Sequence, residues 1–212
     1  MAQRQRGADI AHAEPLDAML SHQEPLDENE QYRIIREFED MQLSQTRTFR
    51  TIFGAGAALI AAFFLYAANE QAARPWEVRY TGELRTVVTS SGVVGAFLIQ
   101  ATALAAAAVG LLLRLPRPGE RERGCLPVAG AARGALAAGA LGAAAGAAYW
   151  CAALRRSIAK YGPEDGAHWD LLWLPLAPLA YVALCWFVMH SVASTGKEIE
   201  KLRKMTYNYK AV

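Results

Sequence analysis

Cysteine and histidine are scarce in this chain of 212 residues, which has three of the first and four of the second. Cys125, Cys151 and Cys185 show no CxxC spacing, and His12, His22, His168 and His190 are scattered, so no zinc-type ligand set or redox pair is spelled out. No Gly-rich phosphate loop follows a strand pattern, so neither a nucleotide cofactor nor a nucleic-acid partner is expected. No apolar run precedes Thr51, so a cleaved secretory signal is not expected, and the early acids Asp9, Glu14 and Asp17 do not suit an organellar transit peptide.

The most informative absence is of charge. Overall, 53% hydrophobic and 20% charged residues with a net charge of +2 would suit many soluble domains. Yet the charges crowd into short blocks, where a soluble core would interleave them with apolar residues at helical period. Four stretches are nearly free of them: Thr51 to Ala68, Thr86 to Leu113, Gly134 to Leu154 and Leu171 to Val192. About 18 helical residues rise roughly 27 Å, enough for the hydrocarbon layer. The expected fold is therefore all-α: an integral membrane four-helix bundle.

Lys and Arg set its orientation. In a four-span arrangement one side receives the N-terminal region (Arg33, Arg36, Arg47, Arg50), the middle connection (Arg114, Arg117, Arg121, Arg123) and the C-terminal tail. The other side receives Arg74, Arg79 and Arg85, then Arg155, Arg156 and Lys160. The more basic side is the cytosolic one, which puts both termini in the cytosol, and with the first span as insertion signal the expected site is the endoplasmic reticulum or another endomembrane.

Residues 1–26 read as a disordered acidic tail containing a short duplication, His12-Ala13-Glu14-Pro15-Leu16-Asp17 and His22-Gln23-Glu24-Pro25-Leu26-Asp27. Residues 27–50 change to a helical pattern. Asp27 and Glu30 have capping-box spacing, and Ile34, Phe38 and Met41 fall at i, i+4, i+7 with Ile35 beside them. Because Arg33, Glu37, Glu39 and Asp40 give this amphipathic helix mixed charge, its apolar face suits docking on a protein better than lying on lipid. The tail, residues 193–212, is expected to be helical and cytosolic, with Lys201, Arg203 and Lys204 as membrane-proximal basic residues that hold topology and attract anionic head groups.

Within the spans the signal is smallness. Gly142 and Gly146 form a GxxxG pattern, Ala135 to Gly139 continues it, and Ser91 to Gly95 repeats it in the second span. Such faces let backbones approach closely, so Ser91, Gly95, Gly139, Gly142 and Gly146 are candidate helix-packing positions, and the third span is expected at the centre of the bundle. Trp76, Tyr149, Trp150, Tyr161, Trp169 and Trp173 have the placement of interface anchors. Of the polar residues at membrane depth, Gln100 suits an interhelical hydrogen bond better than a substrate contact.

No titratable cluster marks an active site, so the functional expectation is non-enzymatic: a scaffold, assembly factor or accessory subunit of a larger membrane complex. The expected partners are membrane lipid and other membrane proteins or a homo-oligomer. The alternative class is a small channel or transporter subunit.

Overall fold

The computed structural model describes residues 28–77, 81–113, 126–166 and 169–207. The acidic tail, its duplication and the Asp27 cap lie outside the described residues, as does most of the middle connection.

Four long helices make up nearly all of the described chain: α1 (Glu28–Ala73), α2 (Ser90–Leu112), α3 (Leu126–Asp165) and α4 (Trp173–Tyr207). Each contains a stretch long and apolar enough to cross a membrane. Large apolar side chains point outward, with Leu59 and Leu141 each 75% exposed and Phe187 65%. In water such a surface would be costly; in lipid it is at equilibrium.

The amphipathic N-terminal helix and the first span are one unbroken helix of 46 residues, roughly 69 Å long. No Gly or Pro interrupts the passage through Thr46, Arg50 and Phe53, so nothing ends the helix at the membrane boundary. The second helix begins later than its charge-free stretch. Gly82–Thr86 forms a short 3-10 helix, and Thr89 then caps α2 by accepting from the Gly92 amide at 3.3 Å. The third is longer than its stretch at both ends and is helical up to Gly162, whose φ of 86° breaks the geometry just before Pro163. The fourth starts at Trp173, after a 3-10 turn at Trp169–Leu171, and continues as the helical tail to Tyr207.

Consecutive helices pack antiparallel, α4 closes back onto α1, and α2 also meets α4 across the middle. Both ends of the described chain therefore emerge at one end of the bundle. The helix α2, not α3, is the central one: half of its apolar stretch is buried, against 28% for α3. Small residues report how closely a helix can approach a neighbour, not how many neighbours surround it. The core runs along α2 through Phe97, Leu104 and Leu111, meeting Phe64 of α1, Leu136 and Trp150 of α3, and Leu174 and Val182 of α4.

The α1–α4 contact extends past the end of α2. Buried or half-buried positions on α1 recur at Glu39, Gln42, Thr46, Phe53, Ala57, Ile60 and Phe64, and on α4 at Pro178, Val182, Cys185, Met189, Val192 and Gly196. Spacings that alternate between three and four residues keep such a seam facing its partner, as in a coiled coil. Tyr181 donates to the Phe53 carbonyl at 3.1 Å, and a Cβ built on Gly196 would lie 3.4 Å from Gln42 Nε2. The C-terminal extension of α4 thus runs back along the N-terminal extension of α1.

Candidate functional site

At the end that carries the termini, Arg50 joins α1 to the C-terminus of α2. Its Nε donates to the Leu111 carbonyl and its Nη2 to the Leu113 carbonyl, each at 2.8 Å. The last carbonyls of a helix have no intrahelical donor, and a planar guanidinium can satisfy two at once while countering the negative end of the dipole. A residue that reads as a topology flank in the sequence is thus also a C-terminal cap. All of α1 before Arg50 extends past the end of α2.

On that extension the inward face is formed by Ile35, Glu39, Gln42 and Thr46. The face beside it is apolar and uncovered, and the face opposite carries Arg33, Glu37 and Ser44. Phe38 is 40% exposed and Met41 53%, Phe49 and Ile52 continue the stripe, and Ile34 sits half-buried at its edge. Charge on the extension is mixed, with Arg33 paired to Glu37 at 3.4 Å and Asp40 exposed beside Met41. The residues singled out as partner-docking, Ile34, Phe38 and Met41, therefore share one stripe along the flank of the packed face, with Phe38 and Met41 exposed. Of the basic set in the tail, Lys201 is exposed; Arg203 and Lys204 are helical, and their side chains lie outside the described set.

The glycines divide into two groups. A Cβ on Gly139 would sit 2.8 Å from the Ala103 carbonyl oxygen, one on Gly142 2.9 Å from Ala103 Cβ, and one on Gly146 2.7 Å from Gln100 Cγ. These three line the α2–α3 contact, where the backbones come too close for a larger residue. Ser91 and Gly95 do not belong with them: Ser91 is exposed and nothing lies within 4 Å of a Cβ on Gly95. The face of α2 that meets α3 is rotated away from them. It uses Gly92, packed under the Tyr149 hydroxyl, and Gly110, beside the Ala132 carbonyl.

Two clusters of polar side chains tie the helices together. Gln100, fully buried on α2, donates from Nε2 to the Leu174 carbonyl at 2.7 Å and accepts from Trp150 Nε1 at 3.2 Å. The Leu174 carbonyl requires this donor because the residue four positions on is Pro178, which has no amide hydrogen. Trp150 is therefore a core residue with a satisfied N–H and not an interface anchor. Trp169, 76% exposed, and Tyr161, 43% exposed, do have anchor placement. At the end opposite the termini, Gln71 accepts from Thr81 Oγ1 at 2.8 Å and donates to Ser90 Oγ at 3.3 Å, linking α1 to the start of α2. Beside it, Lys160 donates to the Thr86 carbonyl at 3.1 Å, and the Tyr161 and Thr86 hydroxyls share a hydrogen bond.

Among the described residues, no three His, Cys, Asp or Glu side chains gather as metal ligands. Cys151 is exposed on α3 and Cys185 buried on α4, both as free thiols.

These features define a membrane-embedded all-α protein whose four apolar helices form one bundle. No protein-family model matches the chain, and neither the curated proteins nor the solved structures contain a match to it.

Proposed function

We propose that this protein is a non-enzymatic scaffold, assembly factor or accessory subunit that recruits a protein partner through the exposed stripe of α1. The observation that carries the proposal is the pairing of Phe38 and Met41, exposed on a helix that extends past the end of α2, with a charge pattern that is not basic. An apolar i, i+4, i+7 face of this kind is what a helix-in-groove partner recognises. A lipid-lying helix would surround the same stripe with Lys and Arg. Lys and Arg flanking the spans favour a cytosolic location for this end of the bundle, with the protein in an endomembrane.

A channel or carrier is less well supported. Of the polar side chains that could line a pathway, Gln100 and Ser90 are engaged in hydrogen bonds between elements, Thr102 bonds back to the Ile99 carbonyl, and Ser91, Thr102 and His190 are on the outer surface of the bundle. The interior around them is filled by Phe97, Trp150 and Leu174.

The test replaces Ile34 and Phe38 together with Ser in the full-length protein. Burial of two such side chains in a partner's groove is worth roughly 1.5 to 3 kcal/mol each. Partners that co-purify with the wild type should be lost, while membrane insertion, which depends on the spans and their flanks, is unchanged. Retention of the same partners by the double variant, together with binding of a 27–50 peptide to protein-free liposomes, would reassign the helix to the membrane surface.

A further inference from the structure

At the opposite end of the bundle, α1, α2 and α4 line a crevice of about 220 Å³. Its floor is aromatic: Phe63 of α1, Phe97 of α2 and Trp173 of α4, with the Phe63 and Trp173 ring centroids 6.1 Å apart. Its rim is charged, made by Glu70, Arg74 and Glu77. Arg74 pairs with Glu70 at 3.3 Å, and the guanidinium stays largely exposed. The apolar run of α1 ends at Ala68, so this rim lies where hydrocarbon gives way to head groups.

The chain is bent to build that rim. Trp76 has a φ of 71°, a left-handed conformation that is a steric outlier for a bulky residue. The turn after Pro75 lets the Glu77 amide donate to the Arg74 carbonyl at 3.3 Å, and Glu77 lines the crevice with Arg74.

We propose that this crevice binds a zwitterionic phospholipid whose head group carries a phosphate and a primary ammonium. The rim holds one guanidinium and two carboxylates, so it complements both ends of such a head group. The exposed edge of Arg74 meets the phosphate, and Glu70 and Glu77 meet the ammonium beside the Trp173 ring, with an acyl chain against the aromatic floor. An anionic head group would bring its charge up to two carboxylates with no ammonium between them. A trimethylammonium group would fit the aromatic ring but could not donate hydrogen bonds to Glu77.

The full-length protein in detergent is equilibrated with micelles containing equal amounts of phosphatidylethanolamine, phosphatidylcholine and phosphatidylglycerol, and retained lipid is quantified by mass spectrometry. Phosphatidylethanolamine should be enriched about fivefold over each of the others, the scale of one partly exposed charge-assisted contact. Glu77→Gln should remove its advantage over phosphatidylcholine, while Glu77→Asp keeps it. Arg74→Gln should lower retention of both zwitterionic lipids. Equal retention of all three lipids by the wild type, or enrichment of phosphatidylcholine or phosphatidylglycerol, overturns the proposal, and so does an unchanged preference in folded Glu77→Gln. Should Glu77→Gln fail to fold, the wild-type competition decides alone.

Discussion

Replacing Gln100 with Leu keeps most of the side-chain volume and removes both hydrogen bonds at the crossing of α2, α3 and α4. Interhelical hydrogen bonds in membrane proteins average about 0.6 kcal/mol and reach about 1.7. The loss here should lie at or above the upper figure, because both former partners are left buried: Trp150 keeps an unmatched N–H, and Pro178 prevents the helix from supplying a donor to the Leu174 carbonyl. A total of roughly 2 to 3 kcal/mol follows from two such bonds and one orphaned carbonyl. The assay is reversible unfolding in mixed detergent micelles. The decisive measurement is a double-mutant cycle with Pro178→Ala, which restores an amide hydrogen four residues after Leu174. In the Gln100→Leu background this change should recover about 1 kcal/mol that it does not contribute in the wild type. Strict additivity of the two substitutions would refute the claim that Gln100 serves the carbonyl orphaned by Pro178.

Two further outcomes are expected. Gly139→Leu and Gly142→Leu should each lower detergent stability by about 2 kcal/mol or more, because the new side chain meets the Ala103 backbone or Cβ, whereas Gly95→Leu, with nothing within 4 Å, should stay within about 0.5 kcal/mol of the wild type in the same unfolding assay. Cysteines introduced at Ser44, Glu120 and Ser194 should react with an impermeant thiol reagent from one side of intact membranes, and those at Glu77 and Glu164 only after permeabilisation; labelling of Glu120 from the side opposite Ser44 would break the four-span arrangement.

The number of helices and their class were legible because a missing charge is a strong signal: a helix keeps about 20 consecutive residues free of Lys, Arg, Asp and Glu when hydrocarbon surrounds it, and a water-facing helix has no such need. Boundaries were less so. Residues 86–89 are apolar enough to extend the second span, but Thr89 offers its side chain to the Gly92 amide, and the helix starts there. The part played by Gly139, Gly142 and Gly146 was visible as spacing, while Ser91 and Gly95 have the same spacing but Ser91 is exposed and nothing lies within 4 Å of a Cβ on Gly95. Pattern alone cannot separate the two, since the rotation of a helix is set by its neighbours. Gln100 was readable as an interhelical donor or acceptor, but its target was not. That Pro178 creates the acceptor depends on which turn of α4 faces α2, a relation between residues 74 positions apart from Gln100 to Leu174.

The distribution of satisfied and unsatisfied groups also decides where this molecule can interact. At mid-depth the polar side chains that join helices have their partners within the bundle, and the backbones around Ala103 approach too closely to admit a ligand. Such a core resists rearrangement, because separating α2 from α3 leaves both the Trp150 N–H and the Gln100 side-chain oxygen without a partner at once. The two ends differ. One presents the Phe38 and Met41 stripe, and the other an aromatic crevice with Glu77 exposed at its rim. The helix α1 runs unbroken from the stripe to Glu70 at the rim of the crevice, so both surfaces are built on a single element that also packs against α4.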